Sequence, residues 1–196
     1  MTTLAIDAKE NRYVVTADVE GAYLHADIDE LVIMVFDGDM VDYMVQTNPE
    51  KYAKHVHVTK NGKKLLYVEL IKALYGCIQS AMLWWKLLTS TLKEEGYEVN
   101  PYDPCVANKI MPDGTQCTIC WYVDDLKISH ASKDVVEDIV SKIEERYGKM
   151  TVTRGNKHTY IGMDIEFMGN GEVQILMKDY IKEAIEMFPE DCTSVV

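Results

Sequence analysis

The stretch Cys117-Thr-Ile-Cys-Trp-Tyr-Val-Asp-Asp-Leu-Lys-Ile-Ser129 carries two adjacent aspartates, Asp124 and Asp125, inside an apolar run typical of a buried strand. Successive side chains of a strand point to opposite faces, so one solvated face cannot account for both acids. Charged groups rarely lie in apolar surroundings without a partner. A tight turn that exposes both carboxylates to a divalent cation satisfies both conditions, although Asp-Asp pairs also occur in ordinary exposed turns. The interpretation we favour is a metal-dependent enzyme.

The length of 196 residues suits one domain, or one domain with a small appendage. The hydrophobic content of 47% is ordinary for a globular protein. No apolar stretch of the sequence approaches the roughly 20 residues that cross a bilayer, and residues 1–7 lack the basic and long apolar segments of a signal peptide. We therefore predict an intracellular, cytoplasmic protein with no membrane partner.

The five cysteines are an odd number at low density, unlike a secreted disulfide scaffold. Cys117 and Cys120 form a lone C-x-x-C, but positions i and i+3 of a strand point to opposite faces. No second Cys/His pair at metal-ligand spacing accompanies them. We predict that both are buried structural thiols.

The net charge of −12 argues against a nucleic-acid-binding surface, because phosphate neutralisation by basic side chains usually drives such binding. Positive charge is gathered only locally, and it suits either a phosphate contact or solvated turns and helix ends. The local groups are Lys60, Lys63 and Lys64, and then Arg146, Lys149, Arg154 and Lys157. The acidic balance predicts weak, salt-sensitive binding of any nucleic acid.

Strand and turn patterns dominate the chain. Apolar runs predict strands over 12–18 and 31–36. Turn dipeptides predict three hairpins. These hairpins cover 56–70 with a turn at Asn61-Gly62, 105–123 with a turn at 112–114, and 158–177 with one strand over 158–167 and a turn at 169–171.

Helices are predicted where apolar side chains recur at three- and four-residue spacing, over 80–95, 132–147 and 178–188. Ser132 is a candidate N-cap, and Gly96, Gly148 and Pro189 are candidate stops. Asn48-Pro49 has the chemistry of a cap followed by the first helical position, so a short helix is predicted there. Hairpins with interspersed helices predict an α+β fold in which helices pack on one face of an antiparallel sheet.

Asp18 is a third acid in a similar context, because it ends the apolar strand predicted over 12–18. If the two strand ends meet in the sheet, Asp18 lies beside Asp124. Three close carboxylates would raise one another's pKa unless cations intervene. Oxygen ligands suit Mg²⁺ or Mn²⁺, and two such ions about 3.5–4 Å apart would clamp a phosphoryl group for transfer.

Four sequence boxes extend this pattern. They are Tyr122-Val123-Asp124-Asp125, the run DVEGAYLH over 18–25, the run KALYG over 72–76, and the run HTYIGM over 158–163. In order and approximate spacing they resemble the boxes of copia-type retrotransposon reverse transcriptases. The resemblance implies an RNA-directed DNA polymerase core, with a palm and partial fingers over 1–188 and a tail over 189–196 where a thumb would begin.

The resemblance also implies catalytic roles. Asp18, Asp124 and Asp125 would be the catalytic acids and would hold two Mg²⁺ or Mn²⁺ ions, with the Val19 carbonyl as an additional ligand. Tyr23 would lie beneath the sugar and exclude ribonucleotides, although it also suits a core aromatic.

Further matched residues would bind substrate. Tyr75 and Gly76 would line the nucleotide pocket, and Tyr122 and Val123 would lie near the primer terminus. Tyr160, Gly162 and Met163 belong to the segment that would grip the primer, although Ile161 and Met163 would serve equally as hairpin core.

The implied partners are an RNA/DNA primer–template, dNTP, and the fingers, thumb and RNase H segments of a retroelement polyprotein, inside the cell and within virus-like particles. Residues 77–82 read CIQSAM where the family has a Lys-Gln-Ala-Pro-Arg-like stretch, which alters the expected template-side contacts. The family's upstream fingers strands, with basic residues for the triphosphate, are expected to lie outside this chain.

Two other interpretations stay open on the sequence. One is a different palm-type two-metal phosphoryl transferase, such as a nucleotide cyclase. The other is a catalytically inactive polymerase remnant or interaction module with an acidic surface.

Overall fold

The computed structural model describes residues 1–188 and divides into two compact units. The larger unit comprises Met1–Ala22 and the chain from Trp85 onward, and the smaller unit is Tyr23–Trp84. The helices are α1 (Thr2–Lys9), α2 (Ala22–His25), α3 (Asp39–Thr47), α4 (Pro49–Tyr52), α5 (Ser80–Glu94), α6 (Lys133–Tyr147) and α7 (Lys178–Met187), with a 3₁₀ turn at Ala53–His55. The strands are β1 (Tyr13–Asp18), β2 (Ile33–Asp37), β3 (His57–Val58), β4 (Lys64–Glu69), β5 (Glu98–Val99), β6 (Val106–Ile110), β7 (Gln116–Tyr122), β8 (Asp125–His130), β9 (Thr151–Arg154), β10 (Lys157–Tyr160), β11 (Met163–Phe167) and β12 (Val173–Leu176).

The larger unit is built on a six-stranded antiparallel sheet in the order β5-β6-β7-β8-β1-β9. Its central strands are apolar and rich in β-branched residues, so they are buried on both faces. Val15, Ile119 and Ile128 are fully buried there, and Ile128 lies directly opposite both Val15 and Ile119 in the strand register. Cys117 and Cys120 of β7 are buried as predicted.

Helix α6 covers one face of this sheet, as the sequence pattern predicted. Its apolar stripe is buried, and the Tyr13 hydroxyl donates a hydrogen bond of 3.0 Å to Glu137 of α6. Helix α5 packs on α6 through Thr91 and Tyr147. The antiparallel sheet with packed helices confirms the predicted α+β class.

Helix α1 was not predicted, and it lies on the opposite face. Asp7 of α1 forms a buried ion pair with Lys127 of β8. Lys127 is in register with Thr16, which is three residues from Tyr13 and therefore points to the other side of the sheet. Both faces of the central strands are thus covered.

Strands β10, β11 and β12 form a second, three-stranded antiparallel sheet in the larger unit. The prediction of one strand over 158–167 was wrong. Ile161 and Gly162 both have positive φ, 51° and 70°, and they form a tight turn that separates β10 from β11. A two-residue turn of this kind needs left-handed backbone at both positions, which glycine favours and isoleucine does not. The isoleucine therefore concealed the turn in the sequence.

The smaller unit has its own antiparallel sheet in the order β2-β4-β3, with Leu66 and Val41 in its core. The predicted hairpin is present with its turn over residues 59–63, although its first strand is only the two residues of β3. Asn48 caps α4 by accepting a hydrogen bond of 3.1 Å from the Lys51 amide, as predicted.

Two helix termini depart from expectation or fall outside the described part. Ser132 occupies the N-cap of α6, but its side chain makes no capping bond; its amide instead donates to His130 Nδ1 at 2.9 Å. The predicted stop at Pro189 and the tail over 189–196 lie outside the described residues. Within residues 1–188, the helices are all too short or too polar to cross a bilayer.

Candidate active site

The β7–β8 hairpin presents the two adjacent acids at its tip. Tyr122 and Asp125 are the last register pair, so the turn consists of only Val123 and Asp124. Val123 has a φ of 57°, a left-handed conformation that a β-branched residue adopts at a cost. Two-residue hairpins require such backbone at the first turn position. The turn therefore holds Asp124 in place through a strained neighbour.

Asp18 ends β1 directly opposite Asp125 of β8. The Val19 amide donates a hydrogen bond of 3.0 Å to the Asp124 carbonyl, which ties the end of β1 to the hairpin tip. Asp18 and Asp125, which are far apart in the chain, are thus brought together by one antiparallel strand pair. The structure places Asp18, Asp124 and Asp125 at the same end of the sheet.

The surroundings of Asp18 and Asp125 disfavour the charged forms of these two carboxyl groups. Burial raises the pKa of Asp18, and the charges of Asp124 and Glu20 raise it further. Burial also raises the pKa of Asp125, again helped by Asp124 and Asp18. A divalent cation would reverse this effect, because opposite charge stabilises carboxylates. The oxygen-only donor set fits Mg²⁺ or Mn²⁺.

The acids are not gathered into ligating geometry. Among the side chains that the structure describes, no three from His, Cys, Asp or Glu form a ready metal site. The Val19 carbonyl, the predicted extra ligand, accepts a hydrogen bond of 3.2 Å from the Ala22 amide, and a carbonyl oxygen has a second lone pair for a cation.

Tyr122 lies on the same face as this acidic end, because it is the register partner of Asp125. Tyr122 is 59% exposed although it follows five buried residues of β7. An exposed aromatic ring beside the acids is available to a ligand.

The 160–163 segment forms the β10–β11 turn. Tyr160 is buried in a cluster with Leu4 and Ile165, and burial raises its pKa. Met163 packs against the same cluster. The Tyr160 and Met163 side chains thus serve the hydrophobic core, while the backbone of Ile161 and Gly162 forms the turn.

Tyr23, Tyr75 and Gly76 lie in the smaller unit. The Tyr23 and Tyr75 rings are 4.3 Å apart between centroids, with planes inclined by 32°, and Tyr75 is 50% exposed. Gly76 has a φ of 100°, which L side chains rarely adopt, whereas an added Cβ would meet no atom within 4 Å. The glycine is therefore explained by backbone conformation rather than by lack of space.

The sequence analysis missed several buried polar residues of the larger unit, and four of them contact one another in two pairs. They are Asp7, Thr16, Lys127 and His158. One sequence feature could have indicated a special role for Lys127. It lies two residues after Asp125, so both side chains point to the same face of the strand. Its burial depends on a partner far away in sequence.

Most of the locally gathered basic groups are paired with acids. Salt bridges join Lys63 to Asp37, Lys64 to Asp42, Arg146 to Glu94, Arg154 to Glu137, and Lys157 to Glu166. Such surface pairs contribute little to stability. They do neutralise the positive charge that a phosphate-binding footprint would use.

An acid-bearing hairpin tip beside a strand end, on an antiparallel sheet covered by helices, is the arrangement expected of a polymerase palm. The reverse transcriptase (RNA-dependent DNA polymerase) family matches residues 2–194. The chain belongs to this family.

Two curated relatives are retrotransposon polyproteins of Saccharomyces cerevisiae. The Transposon Ty1-BR Gag-Pol polyprotein is 26% identical over 191 residues, and the Ty1-MR1 Gag-Pol polyprotein is 25% identical over the same length. Each alignment covers 94% of this chain and 9% of the relative, so the chain spans about a tenth of these polyproteins. The family and these relatives confirm the predicted resemblance to copia-type reverse transcriptases.

Among solved structures, apo telomerase from Candida tropicalis aligns with a TM-score of 0.46 and 14% identity, covering 88% of this chain and 35% of that one. Telomerase from Candida albicans, in complex with a TWJ fragment of telomeric RNA, aligns with a TM-score of 0.47 and 11% identity, covering 88% and 34%.

Proposed function

We propose that this chain is the core of an RNA-directed DNA polymerase of a copia-type retroelement, which transfers a nucleotide from dNTP to a primer 3′-hydroxyl. One observation carries the proposal: Asp18 and Asp125 lie directly opposite each other at the open end of a strand pair, with Asp124 on the adjoining turn. The domain assignment, a palm with partial fingers over 1–188, is part of this proposal.

In the proposed reaction Asp18, Asp124 and Asp125 hold two Mg²⁺ or Mn²⁺ ions. Such ions would supply activation of the primer hydroxyl and charge neutralisation on the leaving pyrophosphate. The raised pKa values of Asp18 and Asp125 support this proposal, because a bound cation would stabilise the charged carboxylates. The strained Val123 turn fixes where the Asp124 backbone lies.

The remaining matched residues would bind and select substrate. We assign Tyr23, stacked on Tyr75, to the sugar of the incoming nucleotide, and Gly76 to close backbone approach. Exposed Tyr122, with Val123, would lie against the primer terminus. The 160–163 turn would contact the primer strand.

The proposed partners are a primer–template, dNTP and further segments of a Gag-Pol-like polyprotein, inside the cell and within its particles. The paired basic side chains support the prediction of weak, salt-sensitive nucleic-acid binding by this chain. A nucleotide cyclase leaves the Tyr75-Gly76 and 160–163 boxes without a role, which favours the polymerase.

The test is extension of a DNA primer on an RNA template with Mg²⁺, comparing wild type with Asp124→Asn and Asp125→Asn. Removing one ligand charge should lower the rate by about a hundredfold or more, the size of losing one electrostatic stabiliser of a transition state. Asp113→Asn is the matched control. Asp113 lies at the opposite end of β7, in the β6–β7 turn, where it accepts a hydrogen bond from the Thr115 amide.

Template-dependent extension that is lost in both site variants and kept in Asp113→Asn would support the proposal. Conversion of a nucleotide without primer or template would instead indicate a cyclase. Absence of extension by wild type at every Mg²⁺ and Mn²⁺ concentration would count against polymerase activity of this chain.

A further inference from the structure

A buried polar layer lies directly behind the acids on the same face of the sheet. Thr16 and Lys127 are register partners, two residues before Asp18 and two residues after Asp125 respectively. Alternation along both strands therefore puts the two pairs on one face, the acids at the open end and the polar layer beneath it. Both Thr16 and Lys127 are buried.

Each member of the layer binds a different flanking element. Lys127 forms its ion pair with Asp7 of α1, and both side chains are 1% exposed. Thr16 Oγ1 lies 3.1 Å from His158 Nδ1, and His158 belongs to β10. Strand β10 belongs to the second sheet, so this side-chain bond joins the two sheets of the larger unit.

The proton positions of the His158 link follow from its second contact. His158 Nε2 lies 2.8 Å from the Gly155 carbonyl, which can only accept, so Nε2 carries the proton. In the neutral ring Nδ1 then accepts from the Thr16 hydroxyl. Burial lowers the pKa of His158 and the nearby Lys127 charge lowers it further, so the neutral tautomer is favoured.

Apolar side chains would stabilise this interior at least as well, since buried polar groups gain little after desolvation. A hydrogen bond instead constrains the distance and angle between the two groups that it joins. The His158 bond starts two residues from Asp18 and ends two residues before Tyr160, where the 160–163 turn begins. It is therefore placed to set the distance between that turn and the acids.

We propose that His158 and Thr16 are positioning residues, whose hydrogen bond sets the 160–163 turn at a fixed distance from Asp18 and thereby aligns a primer strand with the acids. This inference deepens the proposed polymerase function and rests on it for the identity of the ligand. Lys127 and Asp7 fix the neighbouring strand to α1 in the same layer.

The test uses the whole chain and matched substitutions. Thr16→Val keeps shape and removes the hydroxyl, and Thr16→Ser restores it. His158→Phe keeps the edge contact with Phe167, whose ring centroid lies 6.0 Å away, and removes both hydrogen bonds. Thermal unfolding first establishes that each variant folds.

The expected result is a change in primer–template binding without a change in nucleotide binding. Thr16→Val and His158→Phe should each raise the KM for a DNA primer on an RNA template by about fivefold to tenfold, as for one lost hydrogen bond. The KM for dNTP should stay within about twofold. The double variant should be no worse than His158→Phe alone, because the Thr16–His158 bond is already absent in that single variant. Thr16→Ser should bind like wild type.

Hydrogen exchange supplies a readout that needs no nucleic acid. The amides over 157–167 should exchange about tenfold faster in Thr16→Val than in wild type or Thr16→Ser, with β7 and β8 unchanged. A wild-type chain that fails to extend primers would count against the polymerase proposal alone. The hydrogen-exchange comparison would still test whether the Thr16–His158 bond positions the 160–163 turn. Equal exchange in Thr16→Val and wild type, or equal rises in both KM values, would overturn it.

Discussion

The buried Lys127–Asp7 pair makes the sharpest stability prediction. Replacing Lys127 with Met removes the ammonium and leaves the Asp7 carboxylate buried. No other donor can take over, because Asp7 Oδ1 already has no hydrogen-bond partner among the described residues. Removing one partner of a buried ion pair lowers the free energy of unfolding by about 3–5 kcal/mol. The free energy of unfolding of a whole domain is about 5–15 kcal/mol, so Lys127→Met should remove a large part of it.

The double variant Lys127→Met with Asp7→Leu should recover to within about 1 kcal/mol of wild type, because apolar pairs often replace buried ion pairs without loss. Urea unfolding followed by circular dichroism measures all three. Lys142→Met is the control: Lys142 is 39% exposed and pairs with Glu95 and Asp138 on the surface, so its loss should cost less than about 1 kcal/mol. A Lys127→Met protein as stable as the control, or a double variant as weak as the single one, would refute the reasoning.

Three further predictions concern the turn, the histidine and the acids. Val123→Gly should raise the free energy of unfolding by roughly 1 kcal/mol, because glycine relieves the left-handed strain; lower stability in urea would contradict this. Because the pKa of His158 is lowered on folding, the unfolded chain takes up the proton first, so the melting temperature should fall as pH drops below about 6.5. His158→Phe should lose that part of the slope, and an unchanged slope between pH 5 and 8 would count against the assignment. Mg²⁺ should raise the melting temperature of wild type more than that of Asp124→Asn, and equal shifts would exclude an ion there.

The apolar strand patterns of the sequence correctly predicted the strand ends that carry the acids. The apolar run before Asp18 and the interruption at Asp124 and Asp125 each marked a strand terminus, and both strands are present. Sequence alone suggested that these ends meet, but only the pairing of β1 with β8 places Asp18 opposite Asp125. Whether the acids then bind metal stays a prediction.

Local patterns failed where tertiary contacts decide the conformation. The turn at Ile161 was hidden because isoleucine has strand propensity and seldom adopts positive φ. Helix α1 is short and carries a buried acid, Asp7, so its pattern does not resemble an amphipathic helix. Lys127 resembles a solvated strand residue until its partner, 120 positions earlier, is known.

A single strand pairing accounts for both the exposed acids and the support beneath them. The antiparallel register that sets Asp18 opposite Asp125 also sets Thr16 opposite Lys127. A slip of β8 by one residue would turn Lys127 and Asp125 to the α6 face and separate Lys127 from Asp7. That slip would bury the unpaired Lys127 charge against an apolar helix stripe, which is far costlier than the observed pairing. The buried polar layer therefore specifies the register on which the proposed catalytic acids depend.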